Sequence, residues 1–319
     1  MGTFLLKRLL ISIPTMIGIS IIVFGVISLA PGDPFAELAL NPNVPAEIRE
    51  SLRRQLGIDD PGHIRYLKWA GALVRGDWGF SFTSRVNTLD LIGQRLPTTL
   101  FIMGTAYLVA MLVAVPVGTL SAIRQYSWTD AIATTFAFLG YSLPTFFTGL
   151  LLILVFSINL RWFPMIYSAH LTASGLHWVF EQFRQSIMPI AVVALFEGAL
   201  LTRYVRAAML DVISQDYVRT ARAKGLVERR VIVRHALRNA LIPVVTILAL
   251  QLPNIFTGAI ITEQIFRVPG IGSLLIGAIQ QSDTPVVMAI VVVYALVVVV
   301  FSLIADVLYG TLDPRVKYQ

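Results

Sequence analysis

One acidic side chain lies inside a long apolar stretch and is the best candidate for chemistry at membrane depth. Glu197 is the single acid in the apolar run 186–202. Ionisable groups at such a depth usually face the interior of a helix bundle or a water-filled cavity. A carboxylate placed there binds an ammonium group in a pore, or it pairs with a cation of the protein such as Arg203. Both interpretations are compatible with the sequence.

Two amide side chains occupy a second apolar stretch, which runs over 239–262. Gln251 and Asn254 are three residues apart, so they share one helical face with Gly258. A hydrated pore explains this face, and so does an interhelical hydrogen bond between polar side chains. Together with Glu197, these residues are the candidates for a translocation path.

Motifs of enzymatic chemistry are missing from the sequence. It contains no Gly-x4-Gly-Lys-Ser/Thr phosphate loop, no Gly-x-Ser-x-Gly elbow and no His-Glu-x-x-His metal helix. Cysteine is absent and the four histidines are scattered, with His170 and His177 seven apart and no third ligand near them. We therefore predict no catalytic residue, no metal site and no cofactor in this chain, which should neither bind nor hydrolyse ATP itself.

The composition is that of a polytopic membrane protein. Hydrophobic residues make up 56% of the 319 residues, charged residues only 13%, and the mean hydropathy is +0.75. Soluble domains carry about 25% charged residues, so this chain could not cover a soluble surface. An ordinary soluble enzyme and a disordered chain are both excluded.

Six apolar segments are long enough, or nearly so, to cross a bilayer as α-helices, which takes roughly 20 residues each. The predicted spans are Leu9–Ala30, Leu96–Ile123, Ala131–Leu160, Ser186–Thr202, Asn239–Thr262 and Thr284–Ala305. Pro144 and Pro253 should kink the third and fifth spans. The first segment also resembles a signal peptide, but its apolar run is longer than such a region needs. We therefore expect a retained helix.

Charge placement predicts which side each loop occupies. With both termini inside, 14 of the 25 Lys and Arg residues fall on the inner side, nine of them in the loop 203–240. The short outer loops hold only Arg161, Arg184 and Arg267. Because Lys and Arg accumulate in cytoplasmic loops, both termini should be cytoplasmic. The domain organisation that follows is an N-terminal helix (1–30), an extracytoplasmic cap (31–95) and a core (96–319).

The outer loop 31–95 has structure signals of its own. Residues 45–57 form an amphipathic pattern that begins with a proline and ends in a glycine, which predicts a helix. Residues 63–74 predict a second helix, with Ile64, Leu67, Trp69 and Leu73 available to an interface. The segment 76–82 reads as a turn rich in aromatic residues. We expect a folded extracytoplasmic cap.

The inner loop 203–240 contains a short helix between two spans. The preceding span should continue through Tyr204–Ile213. Ser214 or Asp216 is expected to cap the short helix, and Gly225 should end it in the left-handed conformation. Ala221 and Ala223 leave this helix thin, which suggests that it fits into a groove of another protein.

A second helix should follow in the same loop. It carries Arg230, Arg234 and Arg238 at spacings of four, so the three arginines share one face. Such a stripe suits anionic lipid headgroups.

At the short helix the sequence resembles a known family, the binding-protein-dependent ABC importer permeases of the dipeptide, oligopeptide and nickel subfamily. Arg219-Thr-Ala-Arg-Ala-Lys-Gly225 falls where that family has Glu-Ala-Ala-x-x-x-Gly. Ala221 and Gly225 match the pattern, whereas Arg219 and Thr220 depart from it. The 18 residues from Gly225 to Pro243 are similar to the long form found in the peptide branch.

The resemblance extends over essentially the whole chain. The further segments that carry it are Ala30-Pro-Gly-Asp-Pro34, Gly76-Asp-Trp-Gly79, Ser142-Leu-Pro144, Trp162-Phe-Pro164, Arg238-Asn-Ala-Leu-Ile-Pro243, Glu263-Gln-Ile-Phe266, Pro269-Gly-Ile-Gly272 and Asp313-Pro-Arg315. No single segment is decisive, but their order and their placement relative to the six spans are specific. The segment from Glu263 to Ile276 also reads as an outer re-entrant or gating turn.

The resemblance implies an all-α membrane protein with six transmembrane helices and the type I importer permease fold, located in a bacterial or archaeal cytoplasmic membrane. Its implied partners are a second related permease in a heterodimer, two ATPase subunits that bind ATP and Mg²⁺, an extracytoplasmic solute-binding protein and a peptide substrate. The ATPase contacts implied are Asp216, Tyr217, Arg219, Thr220, Ala221, Arg222, Ala223, Lys224 and Gly225.

Other functions stay open at this point. Nickel or glutathione could be the substrate within the same subfamily. An ion-coupled secondary transporter should show inverted repeats and paired intramembrane charges, and an intramembrane enzyme should show a catalytic pair within the spans. None of these features is visible in the sequence. A nucleic-acid partner is not expected, since the net charge of +7 reflects membrane topology.

Overall fold

The apolar runs become helices because lipid offers no hydrogen-bond partner to a peptide backbone, and a helix satisfies its own N–H and C=O groups. The computed structural model of the chain describes residues 2–29, 60–168, 174–251 and 255–312. Within these ranges the chain is helical, without a strand, and one isolated bridge pairs Phe80 with Asn87. The predicted outer helix 45–57 and the candidate residue Asn254 lie outside the described residues.

The helices follow in chain order, with two π-helical segments among them. They are α1 (Gly2–Leu29), α2 (Gly62–Val74), α3 (Thr88–Ile123), α4 (Trp128–Ser142), α5 (Thr145–Leu152), π1 (Ile153–Asn159), α6 (Gly175–Ile213), α7 (Asp216–Ala223), α8 (Glu228–Arg230), π2 (Val231–Leu237), α9 (Arg238–Gln251), α10 (Ile255–Phe266), α11 (Ile271–Gln280) and α12 (Thr284–Leu312).

The number of membrane spans agrees with the sequence. In the described part, five helical stretches are long and apolar enough to cross a membrane: Arg8–Ser28, Thr88–Ile123, Gly175–Ile213, Glu228–Leu248 and Thr284–Val307. When α4 and the helical stretch of α5 and π1 are counted as one bent span, there are six. The prediction of about six apolar spans is therefore confirmed.

The third span is strongly bent. Its halves meet at 104°, so the prediction of one helix over 131–160 is wrong, although a break at Pro144 was expected. Proline lacks an N–H and disfavours helical geometry in the residue before it. Accordingly, Leu143 is extended with φ −81° and ψ 128°, and α5 starts directly after Pro144.

Of the other spans, α6 is longer than predicted and the fifth is shifted toward the N-terminus. α6 has 39 residues, or about 59 Å at 1.5 Å per residue, which is well beyond the roughly 30 Å of a bilayer core. Its predicted continuation to Ile213 is confirmed. The fifth span begins at Glu228 because the predicted arginine-bearing helix runs into it without a break.

The chain forms two compact units. The larger contains Pro97–Ser273, and the smaller is built mainly from Leu6–Leu96 and Leu274–Val299. In the larger unit, α6 is the central helix, since α4, α5, α9, α10 and π2 all contact it. Small residues let these helices approach closely. Gly118 of α3, for example, packs against Val205 of α6.

The smaller unit holds the outer segments. Tyr66 and Trp69 of α2 pack on Phe24 of α1, so the predicted interface role of Trp69 is confirmed. The turn after α2 rests on Asp283, which is 3% exposed. The Asp283 carboxylate accepts hydrogen bonds from the Ser81 hydroxyl at 2.5 Å and the Phe82 amide at 3.1 Å.

Replacing Gly118 by alanine should destabilise the larger unit. The added Cβ would lie 2.8 Å from the Thr202 carbonyl oxygen and 2.8 Å from the Val205 Cβ, so α3 and α6 would have to separate. Overpacking of this kind costs about 1–3 kcal/mol, measurable as a lower midpoint of thermal unfolding in detergent. Gly104→Ala on the same helix is the matched control, since its Cβ meets no atom within 4 Å. Equal midpoints for the two variants would contradict the close packing of α3 on α6.

Candidate coupling helix and translocation path

The short helix α7 begins directly after the long helix α6. Ser214 closes α6, and its hydroxyl donates a hydrogen bond to the Asp211 carbonyl at 3.0 Å. Gln215 is the extended N-cap residue of α7 and makes no side-chain capping bond. The predicted cap by Ser214 or Asp216 is therefore wrong. The serine hydroxyl is used by the last turn of α6, and Asp216 is already the first helical residue.

The C-terminus of α7 is a Schellman motif. The Gly225 amide donates to the Arg222 carbonyl at 2.9 Å, and the Leu226 amide donates to the Ala221 carbonyl at 3.4 Å. Gly225 has φ +74°, as its place after the helix predicted. No atom lies within 4 Å of a Cβ built on this glycine, so the space beside it is open.

The inward face of α7 packs on its own chain. Val218 is fully buried and Ala221 is 5% exposed, and both contact the buried Val231 of π2. Leu226 covers the same small core. Ala221 was predicted to belong to a surface that enters another protein, but the structure places it inside. Its small side chain lets α7 lie close to π2.

The outward face of α7 is exposed and basic. All other candidate contact residues lie on it, namely Asp216, Tyr217, Arg219, Thr220, Arg222, Ala223, Lys224 and Gly225. Arg222 forms an ion pair with Glu228 at 2.8 Å, which raises the pKa of Arg222 and ties α7 to α8. Arg219 has a looser pair with Asp216 at 3.7 Å. The exposed charges of this face are therefore mainly positive.

The predicted site omitted an ion pair that fixes α6 above α7. Arg206 of α6 donates two hydrogen bonds of 2.8 Å to the carboxylate of Asp130 on α4, which is 4% exposed. The Ser121 hydroxyl of α3 also bonds to Asp130. The pair therefore joins three helices. In the sequence, the only sign of this ion pair is Asp130, the acid directly before the predicted third span.

Glu197 lines a small cavity in the larger unit. Tyr107, Tyr204 and Gln251 line the same cavity, which has about 10 Å³, close to the room one water molecule needs. The structure thus brings Glu197 and Gln251 to one cavity, and their part in a translocation path stays a prediction. The Tyr107 hydroxyl is already engaged, since it donates to the Leu248 carbonyl at 2.8 Å.

The alternative partner of Glu197 is not found. Over the described ranges, no residue forms a salt bridge or hydrogen bond with the Glu197 carboxylate. Arg203 instead holds its guanidinium carbon 6.0 Å from the ring centre of Tyr141. The interpretation of Glu197 as half of an ion pair with Arg203 is therefore wrong.

A second buried carboxylate organises the turn between α10 and α11. Glu263 is 1% exposed and accepts hydrogen bonds from the Thr99 hydroxyl at 2.6 Å and the Ser273 amide at 3.0 Å. Thr99 accepts one from the Ile271 amide at 2.9 Å. The carboxylate thus satisfies the N-terminus of α11. The chain turns at Pro269-Gly270, within the segment predicted as a re-entrant or gating turn, and α11, with 10 residues, is too short to span a bilayer.

No metal centre is apparent in the described part of the chain, where no three His, Cys, Asp or Glu side chains gather. The described side chains are suited to binding rather than to metal chemistry. A bundle of apolar helices contains polar residues at depth, and a rigid basic helix projects between two of its spans. Polar residues at depth in such a bundle are typical of a membrane-transport protein.

Comparison with known families agrees with this class. The chain belongs to the binding-protein-dependent transport system inner membrane components, the permeases of ABC importers. The model of that family matches residues 114–318, and the model of its N-terminal region matches residues 1–103. Such permeases work with ATPase subunits and a solute-binding protein, and the chain is a multi-pass membrane protein.

Two full-length relatives are informative. The chain is 43% identical over 319 residues to the oligopeptide transport system permease protein AppB of Bacillus subtilis, covering all of both chains. It is 35% identical, again over all of both chains, to the glutathione transport system permease protein GsiC of Escherichia coli K12.

A solved structure supports the fold. The crystal structure of an amino acid ABC transporter with histidines matches with a TM-score of 0.50 and 14% identity, covering 73% of this chain and 99% of that one. The chain therefore has the type I ABC permease fold.

Gly270→Ala should disrupt the turn that rests on Glu263. A Cβ at this position would lie 2.1 Å from a carboxylate oxygen of Glu263, so the carboxylate would leave the N-terminus of α11. We expect a loss of about 1–3 kcal/mol of stability, seen as a lower unfolding midpoint of the purified protein. Gly277→Ala in α11 is the control, because its Cβ meets nothing within 4 Å. An unchanged midpoint for Gly270→Ala would show that the buried carboxylate does not hold the turn.

Proposed function

We propose that this chain is the pore-forming permease subunit of an ATP-driven importer that carries di- and oligopeptides across the cytoplasmic membrane of a bacterium or archaeon. The observation that carries the proposal is the full-length identity of 43% to an oligopeptide permease. The 35% identity to a glutathione permease is compatible with it, since glutathione is itself a tripeptide. Membership of this family leaves ion-coupled secondary transport without support.

The partners we propose are specific. A second, related permease completes the pore as a heterodimer, two ATPase subunits bind ATP and Mg²⁺, and an extracytoplasmic protein delivers the peptide. This chain contributes no catalytic residue. The missing Gly-x4-Gly-Lys-Ser/Thr loop supports a division in which hydrolysis belongs to the partners.

Both termini are proposed to be cytoplasmic. The nine basic residues of the loop 203–240 support this orientation, because Lys and Arg accumulate in cytoplasmic loops. The same orientation brings α7 to the side where ATP is available.

Coupling is proposed to run through the outward face of α7. Tyr217, Arg219 and Lys224 would contact the groove of an ATPase, while Ala221 holds the helix against π2. Because the inward face is buried against π2, α7 should move together with it. A movement of the ATPases would therefore displace α6 and the helix that starts at α8 as a rigid body, which alternates access to the pore.

The translocation path is proposed to include Glu197, Gln251 and Asn254. The support is the shared cavity of Glu197 and Gln251 and the lack of a salt bridge to the Glu197 carboxylate within the described ranges. Charges at membrane depth are rare and usually mark a substrate or ion pathway.

Arg219→Glu should uncouple the transporter without unfolding it. The side chain is 72% exposed, so charge reversal affects a docked partner more than the fold. In the complete complex, reconstituted into liposomes, ATP-dependent uptake of trialanine should fall about tenfold, as for loss of an interface hot spot. Co-purification of the ATPase subunits should weaken in parallel.

Arg124→Glu is the matched control for this experiment. It makes the same charge change at an exposed arginine just beyond α3, on the side where we place α7 but outside that helix. Its uptake should equal that of the wild type. Unchanged uptake and unchanged ATPase association in Arg219→Glu would refute coupling through this face.

A further inference from the structure

α6 carries two opposite charges, one in the predicted span and one just beyond it, and neither forms a salt bridge with a described residue. Glu197 and Arg203 are six residues apart, which corresponds to a rise of about 9 Å along the helix. Glu197 has no salt bridge with a described residue, and Arg203 contacts the ring of Tyr141 rather than a carboxylate. Opposite charges on one helix that do not pair with each other can bind opposite charges of a ligand.

Arg203 lines a cavity that is large enough for a ligand. The volume is about 510 Å³, which lies in the range of small-molecule sites. Thr134, Tyr141 and Thr202 also face it, and they supply hydroxyl groups and an aromatic ring. The site has the mixture of an apolar wall and a few polar groups that orients a small ligand.

Arg206 lines the same cavity but is not available to bind an anion. Its guanidinium makes two hydrogen bonds of 2.8 Å to Asp130, which neutralises both groups. Arg203 therefore provides the positive charge that a ligand would meet there. A carboxylate is a suitable ligand because an arginine can bind both of its oxygens at once.

The cavities of Glu197 and Arg203 share part of their lining. Leu200 and Tyr204 of α6 line both of them. A ligand that reaches from one charge to the other would therefore pass along the side chains of these two residues. The apolar surface of Leu200 and the ring of Tyr204 would accept side chains of many kinds.

We propose that Glu197 binds the N-terminal ammonium group and Arg203 the C-terminal carboxylate of a short peptide with two free ends. This inference rests on the proposed function and names the substrate class for the permease itself. An extended chain spans about 3.3–3.6 Å per residue, so two or three residues cover the helix rise of about 9 Å between positions 197 and 203. Recognition of both ends, with no side-chain pocket required, would allow peptides of varied sequence to pass.

The test measures binding of peptides to the purified complex of permease and ATPase subunits without the solute-binding protein, so that selectivity of the delivery protein does not contribute. Calorimetric titrations would compare trialanine with N-acetyl-trialanine and trialanine amide. The wild type should bind free trialanine about tenfold more tightly than either blocked peptide, the order expected for one lost charged hydrogen bond.

Single substitutions test each charge separately through the preference for a free peptide terminus. Glu197→Gln should lose the preference for a free N-terminus and keep the preference for a free C-terminus, and Arg203→Gln should do the reverse. Glu181→Gln and Arg184→Gln make the same changes near the start of α6, where the two residues pair at 3.5 Å, and should keep both preferences. Arg203→Lys should retain the preference for a free carboxylate.

Three outcomes would overturn the inference. One is the absence of wild-type binding, and another is a uniform loss of affinity for all three peptides in the variants, which a structural role would produce. The third is that wild-type protein binds trialanine in phosphatidylcholine nanodiscs but not in phosphatidylglycerol nanodiscs. Arg203 would then bind an anionic lipid headgroup rather than the peptide carboxylate.

ATP-driven uptake of trialanine by the wild-type complex is measured in parallel. If uptake fails, the proposed function is wrong; if uptake succeeds and terminal selectivity is missing, only this inference fails.

Discussion

The packing of α7 against π2 is the contact on which the coupling mechanism depends. Val218 and Ala221 are buried against Val231, and burial of a valine side chain stabilises by about 1.5–3 kcal/mol. The Schellman motif at Gly225 and the ion pair between Arg222 and Glu228 fix the end of the helix. A short helix without such contacts would fray, because eight residues are too few to be helical on their own. With them, the exposed face of α7 is a rigid part of the larger unit.

The rigidity continues along α6. Arg206 binds Asp130 of α4 in a buried, two-pronged ion pair, and removal of one partner would leave a buried charge without compensation. Gly118 lets α3 lie directly on the same part of α6. Displacement of α7 therefore acts on several helices together, including the segment that carries Glu197 and Arg203. The residues proposed to bind the ATPase lie on α7, and those proposed to bind substrate lie on α6, the helix directly before it.

The sequence predicts features that depend on local pattern. The apolar runs predict the number of spans, because the need for about 20 apolar residues leaves few alternatives. Gly225 predicts the end of α7, since a left-handed residue is required there. Trp69 was recognised as an interface residue from its place on an amphipathic helix. In each of these cases the deciding residues are neighbours along the chain.

Features that depend on distant residues could not be predicted. Asp130 and Arg206 are 76 residues apart, and Thr99 and Glu263 are 164 apart, so nothing in a single sequence pairs them. The 104° bend at Pro144 needs more than a proline, since Pro243 lies within α9 without ending it. The inward position of Ala221 was missed because a small residue suits both a groove in a partner and close packing in the same chain. Only the position of π2 distinguishes these two cases.

The most direct test of the central claim is a cross-link from α7 to the ATPase. The natural chain has no cysteine, so Ala223→Cys on the exposed face provides a single attachment point for a short photoreactive cross-linker. In the assembled transporter, we predict a product of this permease with an ATPase subunit, and none from Ser84→Cys in the outer turn. No ATPase product from position 223, or equal products from both positions, would contradict the account.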